Sequence, residues 1–271
     1  MSGNGTNGTG GRANKGRANP YYRGPVTDHF NGHHFFNPDG EPPGSLSGLL
    51  KWRFGEKRAR WPRQWPSPFH GAEPAGKVTG DGLTVTMVGH ATLLIQTAGL
   101  NILTDPVWSD RAGPQSILGP RRVNPPGIAK DHLPKVDIVL LTHNHYDHLD
   151  LATLAWMVAR DDPLIVTPLG NDAIVLKRLP SARIVTGDWG DIAEIGNETR
   201  IHFEPVHHWS ARGVADRRMA LWAGFVIETP GGRILHIGDT GFHEGRNFIA
   251  AADRHGPFRL AILPIGAYEP R

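Results

Sequence analysis

Cysteine is absent from all 271 residues. Disulfides, thiolate metal sites and thiol nucleophiles are therefore excluded outright. Any metal centre in this chain must be built from histidine and carboxylate. Long apolar runs are also missing. No stretch reaches the roughly 18 consecutive apolar residues of a membrane span. Met1 to Pro20 has no apolar signal-peptide core. The Met-Ser-Gly opening lacks the glycine at position two that myristoylation needs. A cytoplasmic protein is the default expectation, and the sequons at Asn4, Asn7 and Asn197 are then silent.

Charge of either sign is modest. Lys and Arg total 29 against 26 Asp and Glu, for a net +3 and a sequence pI near 9.3. This permits weak attraction to anionic lipid or nucleic acid and decides nothing alone. What the chain does have is histidine, at 15 residues, with 34 Gly and 23 Pro for turns. Hydrophobic residues make up 39%, enough for a core, and the length suits one large domain or a domain with an extension.

Three regions differ in texture. Residues 1–20 are Gly, Asn, Thr and Arg with almost no apolar side chain, and are expected to be a flexible tail. Residues 21–80, rich in Pro and aromatics, read as an irregular arm wrapped on the main domain. Residues 81–271 read as the domain itself. Short apolar segments at Leu83–Val88, Thr92–Gln96 and Leu100–Thr104 suggest adjacent strands. Val136–Thr142 reads as a buried strand and Leu151–Arg160 as a helix. Further strands are expected at Leu164–Thr167, Arg183–Val185, Asp191–Ile195, Arg200–Glu204, Leu221–Ile227, Arg233–Ile237 and Arg259–Leu263. Helices are expected at Asp172–Arg178 and His243–Asp253. Such a mixture predicts layered sheets flanked by helices.

The strongest chemical signal is Thr142-His143-Asn144-His145-Tyr146-Asp147-His148, directly after the buried strand. In an extended segment, positions i, i+2 and i+4 share one side, which groups His143, His145 and Asp147. A turn into the next helix brings His148 round to a neighbouring position. Imidazole suits Zn, Fe, Ni and Cu, and carboxylate adds harder character. Two later strand-end loops extend the set: His207-His208-Trp209 and Gly238-Asp239-Thr240-Gly241. Alone, either is equally an ordinary polar turn. Beside the first cluster they become candidate ligands.

These segments together resemble the metallo-β-lactamase superfamily. GHAT at Gly89–Thr92, TDPVW at Thr104–Trp108 and PIGAYEPR at Pro264–Arg271 narrow the resemblance to N-acyl-phosphatidylethanolamine-hydrolysing phospholipase D. The resemblance spans about residues 83 to 271. It implies an α/β fold, a four-layer αββα sandwich with two Zn2+ at one sheet edge. It implies that His143, His145 and His208 hold the first zinc, that Asp147 and His148 hold the second, and that Asp239 bridges both. Asp105 matches an acid that orients a ligand through its free N–H. His90 matches a supporting or substrate-side histidine, and Tyr146 between the ligands is either substrate-facing or packed under the loop. The family continues past EPR with another histidine for the second zinc, whereas this chain stops at Arg271. The resemblance therefore implies a shortened C-terminal end and a weakened second site.

The reading that follows is a zinc-dependent phosphodiesterase acting on N-acyl-phosphatidylethanolamine-type lipids through a zinc-bound hydroxide, with Asp147 as catalytic carboxylate. The alternatives are a lactonase or nuclease on the same scaffold, or a metal-binding product without catalysis. Lys51–Phe69 interleaves Lys51, Arg53, Lys57, Arg58, Arg60 and Arg63 with Trp52, Trp61 and Trp65. Such a stretch either packs on the domain or touches anionic membrane from the cytoplasmic side. Nucleic acid is the less favoured partner.

Overall fold

The computed structural model describes residues 18–40, 47–48, 55, 62–67, 71, 73–196 and 198–266. Strand β2 (Thr92–Thr97) is buried at every position, so both of its faces must be covered. Its alternation shows how. Leu93 and Ile95 join one apolar cluster, and Leu94 joins another on the opposite side. β2 lies between β1 (Leu83–Gly89) and β3 (Leu100–Thr104), both antiparallel to it. The sheet continues in parallel through β4 (Ile138–Leu140), β5 (Leu164–Pro168) and β6 (Arg183–Gly187).

A second sheet of five strands runs in the order β11-β10-β9-β8-β7. Its members are β7 (Ile192–Gly196), β8 (Thr199–Glu204), β9 (Gly224–Thr229), β10 (Gly232–His236) and β11 (Leu260–Ile262). Only the β10–β11 pair is parallel. The central cluster takes Ile102, Leu140 and Val166 from the first sheet and Phe203, Phe225 and Ile234 from the second, so the two sheets pack face to face.

Helices close the outer faces. Helix α1 (Leu151–Asp161) begins where the Asp150 carboxylate accepts from the amides of Ala152 and Thr153. It ends at Asp162 in the left-handed region. Leu154 and Met157 of α1, with Ile174 and Val175 of α2 (Asn171–Arg178), cover the first sheet. Helix α3 (Arg246–His255) sets Ala251 and Phe248 against Val226 and Leu235 of the second sheet. Residues 18–40 hold no strand or helix. Phe30 and Phe35 are buried in this same outer cluster beside Trp222. The Asn19 amide donates to the carbonyls of His33 and Met219, both at 2.8 Å, and ties the segment down. Of Lys51–Phe69, all but 55 and 62–67 lie outside the described residues.

Three elements differ from the sequence reading. The ladder expected over Val136–Thr142 covers only Ile138–Leu140, because the Thr142 amide donates to the Asp105 carboxylate instead of a strand. The strand expected from Leu221 starts at Gly224, since Leu221 and Ala223 donate across to Leu169 and Thr142. The helix expected from His243 is a 3-10 turn to Gly245, then α3. Glu244 and Gly245 are left-handed there and break the path.

Candidate metal centre

Antiparallel pairing of β1 with β2 and of β2 with β3 makes β1 and β3 point the same way, and β4 is parallel to β3. Their carboxyl ends therefore share one edge. His90 follows β1, Asp105 follows β3, and the His-rich loop follows β4. The same logic places the ends of β8 and β10 together in the second sheet. His208 follows β8 and Asp239 follows β10. Both sheets thus deliver polar side chains to one mouth.

The expected grouping of His143, His145 and Asp147 on one face does not occur. The chain turns after His145, whose carbonyl accepts from the amides of His148 and Leu149 at 3.1 and 2.8 Å. An extended period of two ends at that turn. His143 and His145 stay together, and Asp147 swings to His148 and His90.

Three groups of side chains could each hold an ion: His143, His145 and His208; His90, Asp147 and His148; His143, His148 and Asp239. In the first group, Nε2 of His143 lies 2.8 Å from Nδ1 of His145, and Nε2 of His208 lies 3.1 and 3.2 Å from these two. Three ring nitrogens in a triangle cannot all be satisfied by one another's protons. A shared cation would satisfy them. Burial and then the neighbouring imidazoles hold His143 well below its ordinary pKa. Burial likewise lowers His145 to about 4 and His208 to about 3. All three are neutral at pH 7, the form that ligates metal.

Asp105 organises this set from beneath. Its carboxylate, fully buried, accepts from the Thr142 amide at 2.8 Å, from the Thr142 hydroxyl at 2.7 Å and from Nδ1 of His148 at 2.8 Å. The Thr142 hydroxyl has one proton and gives it to Asp105. It therefore accepts from Nδ1 of His143, 2.9 Å away. One carboxylate thus assigns the tautomer of two histidines, and both present Nε2 to the mouth. Nε2 of His148 is buried and without a well-aligned hydrogen bond among the described residues, with the nearest Asp239 oxygen at 3.4 Å. Burial opposes charging His148, but Asp105 and Asp239 outweigh it and raise its pKa well above the ordinary value. A bound cation would replace that proton.

Asp239 faces both halves, 3.4 Å from Nε2 of His148 and 3.8 Å from Nε2 of His208. Burial would raise its pKa, but His148 brings it down to about 2. Asp147 is also held below the usual carboxylate range: burial is outweighed by the His90 hydrogen bond and by the charges of His148 and His90. Nε2 of His90 stands 3.0 Å from the Asp147 carboxylate, on a residue with φ of 52°. The donor set, the triangle of nitrogens and the orphaned His148 Nε2 all fit two divalent ions.

Residues 100–271 match the family described as "Beta-lactamase superfamily domain". The chain belongs to the metallo-β-lactamase superfamily. It is 40% identical over 188 residues to an uncharacterized protein of Mycobacterium tuberculosis, covering 69% of this chain and 50% of that one. It is 36% identical over 215 residues to "N-acyl-phosphatidylethanolamine-hydrolyzing phospholipase D 1" of Caenorhabditis elegans, covering 73% of this chain and 59% of that one. The chain thus spans roughly half the length of these relatives. Among solved structures it is similar in fold to Igni18, a metallo hydrolase from the archaeon Ignicoccus hospitalis. The TM-score is 0.50 at 23% identity, covering 69% of this chain and 72% of that one.

Sequence reading did not single out three residues of this metallo-β-lactamase site. Thr142 carries the hydrogen-bond relay just described. Arg212 donates to the carbonyls of Asn144 and Leu149 at 3.1 and 2.6 Å and stacks on the Tyr146 ring at 3.7 Å. Tyr146 is therefore packed beneath a guanidinium. Arg122 lines a cavity of about 890 Å³ that reaches His90 and Asp147. Val85, Met87 and Val107 form apolar parts of its wall. Neither arginine has a local sequence signature, because each acts on residues distant in the chain. Of the pair His207-His208, only His208 joins the cluster; the His207 ring faces that of His243 at 4.4 Å.

Proposed function

We propose that this chain is a metal-dependent hydrolase that cleaves phosphodiesters, with N-acyl-phosphatidylethanolamine-type lipids as the leading substrate class. One observation carries the reading. Candidate ion groups of His and Asp gather at one mouth, and one of them, His90, Asp147 and His148, opens on a partly apolar cavity lined by His90 and Asp147. The name printed for the nematode relative supports the lipid class. The layering of helix, sheet, sheet and helix is read as the αββα sandwich that the resemblance implies.

In this reading His143, His145 and His208 hold one zinc ion. Asp147 and His148 would hold the other, with His90 beside them, and Asp239 would lie near both. Two such ions would acidify a water molecule and neutralise charge on phosphoryl oxygens. Asp147, ionised at pH 7, would accept a hydrogen bond from such a water and orient it. Arg122 lines the cavity, held by a hydrogen bond from its guanidinium to the Val107 carbonyl at 2.8 Å, and offers the substrate a cation. The apolar wall takes up an acyl chain or its glyceride part.

The test is zinc analysis together with a substrate panel of lipid phosphodiesters, lactones and RNA. Two zinc ions and phosphodiester turnover, lost in Asp147→Asn with the fold intact, are expected. Lactone turnover without phosphodiester turnover would promote the lactonase reading.

A further inference from the structure

The cavity beside Asp147 has a rim that its own lining does not explain. Ala112 and Pro120 both line the cavity and are joined, the Ala112 amide donating to the Pro120 carbonyl at 3.1 Å. One step outward, the Arg122 amide donates to the Asp110 carbonyl at 2.7 Å. Beyond these rungs residues 113–119 make a narrow-necked loop. A Cβ on Gly119, where φ is +91°, would sit 2.0 Å from the Ala112 carbonyl oxygen, so only glycine closes the neck. The loop holds out Ile117 and Leu118, 66% and 62% exposed. Two adjacent aliphatic side chains kept in water by a tight neck are not filling any core.

Two more exposed apolar side chains stand at the same cavity. Met87 lines it and is 55% exposed. Trp65 is 61% exposed, and its amide donates to the carbonyl of Val123, itself a lining residue. The Asn124 side chain also donates to the Trp65 carbonyl at 3.0 Å. Trp65 is therefore fastened to the rim by its backbone while its indole faces water. Basic groups accompany them. Arg111 and Arg121 are exposed and bridge backbone to backbone across the neck; the Arg111 guanidinium also donates to the Gly119 carbonyl at 2.9 Å.

We infer that this rim, Ile117, Leu118, Trp65 and Met87 with Arg111 and Arg121, is a docking surface for an anionic lipid bilayer. Aliphatic tips enter the acyl boundary, an indole sits at headgroup level, and guanidinium groups meet lipid phosphates. A second copy of the chain would bring the same arginines to the interface, where like charges repel; an anionic surface is complementary to them. The placement has a chemical use. A lipid leaving the bilayer would enter the cavity at its rim and reach Asp147 without crossing water. The inference deepens the lipid reading above and rests on it for that use, but the attachment is measurable without any catalysis.

The experiment is sedimentation with phosphatidylcholine vesicles, with and without phosphatidylglycerol. The wild-type chain is expected to bind the anionic vesicles and to be weakened by added salt. Ile117→Ser with Leu118→Ser should lower that affinity at least about tenfold, since attachment scales with buried apolar area. Arg121→Ser should lower it about fivefold on anionic vesicles and not on neutral ones. The double variant should keep its circular dichroism spectrum and its hydrolysis of a water-soluble phosphodiester. If it sediments as well as wild type, the inference is overturned. It is equally overturned if wild type ignores vesicles and instead forms a dimer that the double variant dissolves. Should no phosphodiester be cleaved at all while vesicle binding follows these expectations, the proposed chemistry falls and the docking surface stands.

Discussion

Asp105 and His148 meet at 2.8 Å with neither side chain exposed to solvent. The same carboxylate reaches His143 through the Thr142 hydroxyl. It therefore supports a ligand of each of the two proposed ions from one point. Asp105→Ala is expected to weaken metal binding at both, on the order of tenfold or more each, as loss of such orienting groups does. Asp105→Asn should fall between, because its amide nitrogen would face donors. Calorimetric zinc titration of the three proteins checks this. A loss confined to one ion would break the shared-support argument.

Arg212 bears on the loop from above. It satisfies two carbonyls of the metal loop and stacks on Tyr146. Arg212→Ala leaves those carbonyls short of donors and frees the ring. Zinc affinity should fall about tenfold, with Arg212→Lys in between because the planar stack is lost while a donor remains. A purely structural role would lower the melting temperature of the zinc-free form equally and leave the affinity ratio unchanged. Zinc titration beside thermal melting separates the two.

Gly238 sets the position of Asp239. Its φ is +67°, and a Cβ there would lie 2.6 Å from a Thr142 side-chain carbon. Gly238→Ala meets both a backbone and a packing penalty, together about 1–3 kcal/mol. The expected outcome is a lower denaturation midpoint together with loss of one zinc ion per chain. A variant that melts lower but keeps both ions would show that Asp239 does not depend on this turn.

His236 supplies a pH prediction. On β10, Ile234 joins the central cluster and Leu235 the outer one, so alternation turns His236 inward. Both ring nitrogens are buried and unpartnered among the described residues, and burial lowers its pKa to about 4. The unfolded chain binds this proton near pH 6.5 and the folded chain only near 4. Stability is therefore full above 6.5, falls as the pH drops between these values and levels off below. The loss at pH 5 is about 2 kcal/mol. His236→Leu should flatten that part of the curve. Urea denaturation of both proteins at pH 7 and pH 5 measures the difference.

Much of this was legible in the sequence, for identifiable reasons. β2 and β3 begin and end at polar or glycine breaks, and local composition marks them. The cluster from His143 to His148 is dense enough to be seen without a fold. What local reading could not supply is the turn at His145, which is made by backbone bonds from His148 and Leu149. That turn sends Asp147 away from His145 and toward His90. Leu221 to Ala223 is apolar enough for a strand but spends its amides on the opposite sheet's loops. Arg212 lies 63 residues from the Leu149 carbonyl it satisfies, and only the closed sandwich puts them together.

The first ion group takes His143 and His145 from one sheet and His208, 65 residues later, from the other. Asp239 arrives later still. A nascent chain emerging from the ribosome displays the HxHxDH loop well before either partner exists. Three imidazoles cannot converge until β8 has folded back, and the Asp239 carboxylate waits for β10. The group of His90, Asp147 and His148 comes from the first sheet alone, whereas this triad closes only with the second. A pulse of zinc given during synthesis is expected to find the socket of His143, His145 and His208 complete only on chains whose second sheet has already been made.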